Sequence, residues 1–118
     1  MPNNKVVHIE LVSKDPKKSA EFYSTVFDWE TSHMEEMDYY MFQDGSVGGG
    51  FTKPEDAMPS GTVLYLNTDD IQKSLEQVVT NGGTVVREKT EIPTVGWYSL
   101  FKDLDGNLIG LFTALEKD

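Results

Sequence analysis

One order of secondary-structure elements occurs twice along this chain, and this repeat constrains the fold more than any other feature. The first half reads as a strand over residues 6–12, a helix that begins after Asp15, and strands near 30–34, 38–43 and 47–53. The second half reads as a strand over 62–68, a helix capped by Asp69 or Asp70, and strands near 84–89, 97–102 and 107–113. β-branched runs between turn signals favour strands, and apolar residues at helical spacing favour the two helices. The chain is therefore predicted to be an α+β protein of two βαβββ modules.

Superposing the two halves sets the module boundaries. A shift of 55 residues places Asp15 on Asp70, and a shift of 61 places residues 45–52 on residues 106–113. The proline- and glycine-containing stretch between the halves is a natural linker. We predict a single domain over residues 1–118, with module one near 5–53, a linker near 54–61 and module two near 62–114.

Alternation along the predicted strands assigns side chains to faces. In the first strand, Val7, Ile9 and Leu11 should pack under the helix, so His8 and Glu10 point the other way. A curved sheet with its helices outside would present a set of inner side chains, namely His8, Glu10, Tyr65, Asn67 and Phe112, with Phe51, Trp97, Phe101 and one of Tyr39 and Tyr40 as additions from other strands. Aromatic walls with a few polar groups are typical of a small-molecule pocket, which we place in the cup between the modules.

Composition excludes several other classes of protein. The chain has 20 acidic and 10 basic residues, a net charge of −10, and no basic cluster. Nucleic acids and anionic membranes would repel it, so neither is an expected partner. No apolar run approaches the roughly 20 residues that span a bilayer. The chain contains no cysteine, which excludes thiolate chemistry and fits the cytoplasmic location that we expect.

The chain resembles the vicinal-oxygen-chelate superfamily, which includes glyoxalase I, bleomycin- and fosfomycin-resistance proteins and extradiol dioxygenases. The resemblance extends over nearly the whole chain, and it rests on residues 8–12 (HIELV), 15–16 (DP), 22–27 (FYSTVF), 64–70 (LYLNTDD), 82–83 (GG), 93–97 (PTVGW) and 103–107 (DLDGN). It implies two βαβββ modules that form a cup-like mixed sheet. One scaffold in this superfamily carries unrelated activities, so the resemblance names no reaction. It also implies a homodimer.

The resemblance also implies four positions for a divalent metal, in the first, fourth, fifth and eighth strands. These positions fall on His8, Gly49 or its neighbour Gly50, Val63 and Gly110. Only His8 offers a side-chain donor, whereas an open zinc site needs about three protein ligands. We therefore predict no cofactor and disfavour a divalent metal at His8.

His8 and Glu10 have two readings. His8 could be an inward polar residue hydrogen-bonded to Glu10 or Tyr65, or His8 and Glu10 could be catalytic groups that transfer a proton. We expect a protein that binds a small molecule without the usual metal. The alternatives are a lyase or dioxygenase-like enzyme that uses His8 and Glu10, and a non-catalytic interaction subunit.

Overall fold

The chain folds as two successive βαβββ units, which confirms the α+β class and the internal repeat. The structure is a computed structural model that describes residues 4–56 and 61–115. Its elements are β1 (Val6–Val12), α1 (Pro16–Phe27), β2 (Glu30–Met34), β3 (Tyr39–Gln43), β4 (Gly48–Thr52), β5 (Thr62–Asn67), α2 (Ile71–Thr80), β6 (Thr84–Ile92), β7 (Gly96–Lys102) and β8 (Leu108–Ala114). Neither helix within the described residues is long and apolar enough to cross a membrane.

The chain divides into two compact units that follow the repeat. Val7–Val63 forms one unit, called module one, and residues 64–115 with residues 4–6 form the other, called module two. Most of the predicted linker, residues 57–60, lies outside the described residues.

Each module has the same strand order, with one parallel pair. In module one the order is β2-β3-β4-β1, and β1 runs parallel to β4. In module two the order is β6-β7-β8-β5, and β5 runs parallel to β8. The helix of each module covers one face of its strands, and its apolar stripe packs into a core there. The opposite face of each set of strands, which the helix does not cover, is the helix-free face.

Both helices begin with the same capping arrangement, displaced by 55 residues. Asp15 accepts a hydrogen bond from the backbone N–H of Lys18, and Asp70 accepts one from Lys73. Such N-caps satisfy backbone donors that have no partner within the helix. A partly buried hydroxyl pair lies beside each cap, formed by Ser13 with Ser19 and by Thr68 with Ser74. These matching hydrogen bonds are stronger evidence for the internal repeat than the low sequence identity between the two halves.

The last strands of the modules are related by a shift of 60 residues, one fewer than the sequence suggested. The backbone N–H of Ser13 donates to the carbonyl of Thr52, and that of Thr68 donates to the carbonyl of Phe112. Because residues 13 and 68 are equivalent, so are residues 52 and 112. The counterpart of Gly110 is thus Gly50, the alternative to Gly49 in the sequence-based alignment.

Candidate functional site

Three polar side chains of module one meet on its helix-free face. His8 and Glu10 project from the same face of β1, and Tyr39 reaches them from the start of β3. The Nε2 atom of His8 lies 2.9 Å from Glu10 Oε2 and 2.8 Å from the Tyr39 hydroxyl. The Tyr39 hydroxyl also donates a short hydrogen bond to Glu10 Oε2. Each of the three groups is therefore hydrogen-bonded to the other two.

Strand register explains why Tyr39 can reach β1. Glu10 is paired with Gly50 across the parallel β1–β4 ladder, and Gly50 lies between β1 and the strand that carries Tyr39. A Cβ atom at Gly50 would overlap the Tyr39 hydroxyl and ring. The missing side chain thus creates the space through which the tyrosine crosses β4.

The electrostatics of this cluster depend on the burial of Glu10. Its side chain is 11 % exposed and that of His8 is 30 % exposed. A buried carboxylate is costly unless hydrogen bonds replace its lost water, and Tyr39 and His8 both supply them. With the Tyr39 proton directed to Glu10, the Nε2–H tautomer of His8 can donate to both oxygen atoms. The arrangement can anchor a polar ligand group at His8 or pass a proton between His8 and Glu10.

A cleft of about 710 Å³ opens beside His8, where β1 and β4 begin. Trp29 and Phe42 supply its aromatic wall, with their rings stacked 4.5 Å apart. Polar groups from β2 and β3 line the remainder. The full lining comprises Val7, His8, Ser24, Trp29, Glu30, Thr31, Ser32, Met41, Phe42, Gln43, Gly48 and Gly49. A cleft of this size and mixed lining fits a small organic molecule.

Three predicted binding residues of module two lie on its helix-free face. Tyr65 is buried and covers Gly110, where a Cβ atom would overlap its ring. Asn67 is paired with Phe112 across the β5–β8 ladder. Its backbone is held by Asn4 and Lys5. The assignment of Tyr65, Asn67 and Phe112 to this face agrees with strand alternation, while their role in binding stays a prediction.

The predicted position of Phe51, Trp97 and Phe101 on the inner face is wrong. Phe51 is 2 % exposed and packs with Ala20 in the core under α1. Trp97 and Phe101 pack against the core under α2. All three occupy strand positions that alternate with the helix-free face, so they stabilise the modules and are not available on that face.

Sequence reasoning overlooked the aromatic and polar residues that line the cleft. Trp29 precedes one predicted strand and Gln43 ends the next, and no spacing in the sequence relates them to His8. Tyr39 was one of two candidate rings, and the pair Tyr39 and Tyr40 divides between the two faces of β3. Alternation along β3 shows that only one of the two rings can share a face with His8. The register of β3 against β4 is needed to decide which one.

A second hollow of about 800 Å³ lies in module two, at the start of α2. Its polar lining already has structural tasks, because Asp70 caps the helix and the hydroxyls of Thr68 and Ser74 bond to each other. Leu66, Phe101 and Leu111 of the core form its floor. The cluster around His8 is therefore the stronger candidate site.

The four family metal positions do not form a donor set. His8 carries an imidazole, Val63 has an apolar side chain, and Gly50 and Gly110 have none. The rings of Tyr39 and Tyr65 fill the space above Gly50 and Gly110, so neither position has room even for a Cβ atom. Within residues 4–56 and 61–115, no three histidine, aspartate or glutamate side chains are grouped closely enough to hold an ion. These residues do not fit the family's metal.

Comparison with known proteins relates this chain to one family. The model of the Glyoxalase/Bleomycin resistance protein/Dioxygenase superfamily matches residues 5–111. A glyoxylase-like domain-containing protein of Didymella fabae is 29 % identical over 118 residues, which covers 89 % of this chain and 90 % of that relative.

Two solved structures share the fold. A glyoxalase/bleomycin resistance protein/dioxygenase superfamily member from Vibrio splendidus 12B01 has a TM-score of 0.68 and 17 % identity, covering 93 % of this chain and 98 % of that one. Methylmalonyl-CoA epimerase from Mycobacterium tuberculosis has a TM-score of 0.71 and 12 % identity, covering 94 % of this chain and 88 % of that one. The family match spans nearly the whole chain, and the chain belongs to the glyoxalase/bleomycin resistance protein/dioxygenase superfamily.

Proposed function

We propose that this protein binds a small organic molecule in the cleft of module one, with His8 as the polar anchor. The observation that carries the proposal is the hydrogen-bonded cluster of His8, Glu10 and Tyr39 beside a cleft of about 710 Å³. Glu10 and Tyr39 hold the imidazole in place, so a ligand meets a group whose orientation is already set. Preorganisation of this kind lowers the entropy cost of binding.

The chemistry of the cleft favours a flat, partly apolar ligand with one hydrogen-bonding group. Trp29 offers half-buried ring surface that is backed by the buried ring of Phe42, and Met41 adds an adaptable apolar side chain. Gln43 and His8 can supply directed hydrogen bonds to the polar end of such a ligand.

We further propose that binding is independent of a metal. His8 is the single donor among the four family positions, and its Nε2 atom already bonds Glu10 and Tyr39. A metal bound through Nε2 of His8 would displace both hydrogen bonds and leave the buried carboxylate of Glu10 with fewer donors.

The metal proposal is tested by calorimetry on tag-free protein with zinc, nickel, manganese and ferrous ions. We expect no stoichiometric binding by the wild type. The matched control is His33→Ala, because His33 is the other histidine of the chain and pairs with Asp38 outside the cleft. Stoichiometric binding that His8→Ala abolishes and His33→Ala retains would overturn the metal-independent proposal.

The binding proposal is tested by a thermal-shift screen of small aromatic compounds, followed by calorimetry on the hits. We expect saturable binding that His8→Ala weakens roughly tenfold, the loss of one hydrogen bond to a preorganised group. His33→Ala should bind like the wild type. Hits whose affinity is unchanged in His8→Ala would contradict the assignment of the cleft.

A second candidate function is proton transfer, favoured by the direct hydrogen bond between His8 and Glu10. An imidazole beside a carboxylate is a common general base. The test is exchange of acidic C–H protons of 2-oxo acids in deuterium oxide, followed by proton NMR. Exchange above the buffer rate that both His8→Gln and Glu10→Gln abolish would favour an enzyme. Exchange at the buffer rate would favour the binding protein.

A further inference from the structure

One row of residues crosses all four strands of module one within the cleft. The row, called the cleft row, consists of His8 of β1, Gly48 of β4, Gln43 of β3 and Glu30 of β2. Gly48 is paired with Gln43, and Gln43 is paired with Glu30. His8 joins this row because Ile9 is paired with Gly49 in the parallel β1–β4 ladder, and His8 and Gly48 each come one residue earlier. All four members line the cleft of about 710 Å³.

The side chains of the cleft row project from the helix-free face. Alternation along β3 places Gln43 on the same face as Tyr39, which reaches Glu10 there. Residues that are directly opposite in a ladder share a face, so Glu30 projects to the same side as Gln43. A Cβ atom at Gly48 would lie 2.6 Å from the Nε2 atom of Gln43. The amide of Gln43 therefore uses the space that the missing side chain of Gly48 leaves.

Glu30 and Gln43 are available to a ligand. Both residues are exposed. Within residues 4–56 and 61–115, the carboxylate of Glu30 forms no ion pair, and the amide of Gln43 forms no hydrogen bond. These two groups can therefore bind a ligand without giving up a partner among those residues.

The charges of the cleft favour a positive ligand. Among the described residues that line it, none is lysine or arginine, and Glu30 is the one acidic residue. No lysine or arginine occurs in β1, β2, β3 or β4. The chain as a whole has a net charge of −10, which repels an anion and attracts a cation. An anionic ligand would thus enter this cleft without a counter-charge.

The geometry of the acceptors favours a planar cation with several N–H groups. A carboxylate can accept two parallel N–H bonds from an amidinium or a guanidinium, and the amide oxygen of Gln43 can accept a further one. The indole ring of Trp29, the residue before Glu30, also lines the cleft. The face of an indole ring attracts cations.

We propose that the ligand of this cleft is a flat organic cation whose amidinium-type group binds Glu30 and Gln43, while its body lies over Gly48 toward His8. Neighbouring strands are about 4.8 Å apart, so about 14 Å separates the backbones at the two ends of the row. Side chains that reach inward from both ends leave room for one aromatic ring with a polar group at each end. This inference rests on the binding function proposed above and adds the charge class of the ligand.

The test compares three probes of nearly the same shape, 4-aminobenzamidine, 4-aminobenzamide and 4-aminobenzoate, which are positive, neutral and negative at neutral pH. Affinities for the full chain are measured by calorimetry in about 0.15 M salt, where distant charges are largely screened. We expect the amidine to bind about five- to tenfold more tightly than the amide, and the benzoate to bind most weakly. The side-chain amide signal of Gln43, identified by its loss in Gln43→Leu, should shift in nitrogen-15 NMR spectra.

Variants separate Glu30 from the general negative charge of the chain. Glu30→Gln should lower the affinity for the amidine about fivefold and leave the affinity for the amide unchanged. The matched control is Glu36→Gln, because Glu36 is an exposed glutamate in the turn between β2 and β3, outside the cleft lining. It should bind the amidine like the wild type. His8→Ala should weaken the amidine and the amide by a similar factor, since it acts at the other end of the row.

The possible outcomes distinguish this inference from the binding function on which it rests. Equal affinities for the amidine and the amide, or equal losses in Glu30→Gln and Glu36→Gln, would overturn the cation assignment. The binding function would survive that result if His8→Ala still weakened both probes. Amidine binding that depends on Glu30 but not on His8 would support the cation site and overturn His8 as the anchor. No binding of any probe at millimolar concentration would overturn both.

Discussion

At the scale of single residues, two glycines govern where two tyrosines lie. Gly50 lies under Tyr39 in module one, and Gly110 lies under Tyr65 in module two. Parallel ladders pair these glycines with Glu10 and Tyr65, which are equivalent positions of the repeat. In each module, the lack of a side chain on the last strand therefore lets a ring occupy the helix-free face.

Gly50→Ala should displace Tyr39 and remove its hydrogen bond to the buried Glu10. We expect the free energy of unfolding to fall by about 1–3 kcal/mol, measured by urea denaturation. The control is the same change in a Tyr39→Ala background, where no ring opposes the new methyl group. Alanine there should be neutral or stabilising by up to about 1 kcal/mol, since glycine is unfavourable within a strand. Equal costs in both backgrounds would contradict the proposed overlap.

Ser99 tests the cost of a buried hydroxyl. Its side chain is fully buried, and within the described residues its Oγ has no hydrogen-bond partner. Ser99→Ala should leave the unfolding free energy unchanged or raise it by about 1 kcal/mol. Ser74→Ala is the matched control, because its hydroxyl bonds Thr68, and it should cost about 1 kcal/mol. A loss of more than about 1 kcal/mol in Ser99→Ala would indicate a partner for this hydroxyl.

At the scale of elements, the turn before the last strand of each module is closed by an aspartate. The N–H groups of Val47 and Ser46 donate to Asp44, and Asn107 and Asp105 donate to Asp103 in the corresponding turn. The N–H of Val47, with that of Ser46, lowers the pKa of Asp44. The side chain and N–H of Asn107 lower the pKa of Asp103. Such turns set the register with which β4 and β8 enter their ladders.

A lowered carboxyl pKa makes the contribution of the Asp44 turn dependent on pH. Because the folded pKa lies below the unfolded one, the stabilisation is complete above the unfolded value of about 3.9 and is lost as the pH falls through the folded value. The difference in unfolding free energy between wild type and Asp44→Asn should be present at about pH 7 and vanish near pH 2. Urea denaturation at both pH values measures it. An equal difference in unfolding free energy at the two pH values would show that the charge of Asp44 does not contribute to stability.

At the scale of the whole molecule, the net charge of −10 dominates the electrostatics. Like charges repel within the folded chain, and salt screens this repulsion. The melting temperature at neutral pH should therefore rise between about 0.01 M and about 0.15 M sodium chloride. Near pH 4, where many carboxylates are protonated, the rise should be much smaller. Equal salt effects at both pH values would indicate an origin other than net charge.

The homodimer and the cytoplasmic location stay predictions. The homodimer follows from the family resemblance, and sedimentation velocity over a range of protein concentrations measures it directly. A single monomeric boundary at every concentration would contradict it.

The repeat, the order of the elements and the assignment of His8 and Glu10 to one face followed from the sequence, whereas β6 extends three residues beyond its predicted end, to Ile92. Local signals carry that information, because capping residues, turn residues and alternation act within a few positions along the chain. Asp15 and Asp70 mark helix starts in the sequence and in the structure. Alternation likewise separated Ile9 and Leu11 from His8.

Tertiary structure decided which side chains from different strands meet. The contact of Tyr39 with His8 depends on the register of β3, β4 and β1, and one residue of error in that register places a side chain on the wrong face. The same reason explains why Phe51, Trp97 and Phe101 were assigned wrongly. The cleft row is the clearest case, since its members come from four strands and no local signal relates them. A row of this kind exists only once the strands are paired, so it appears only in the folded chain.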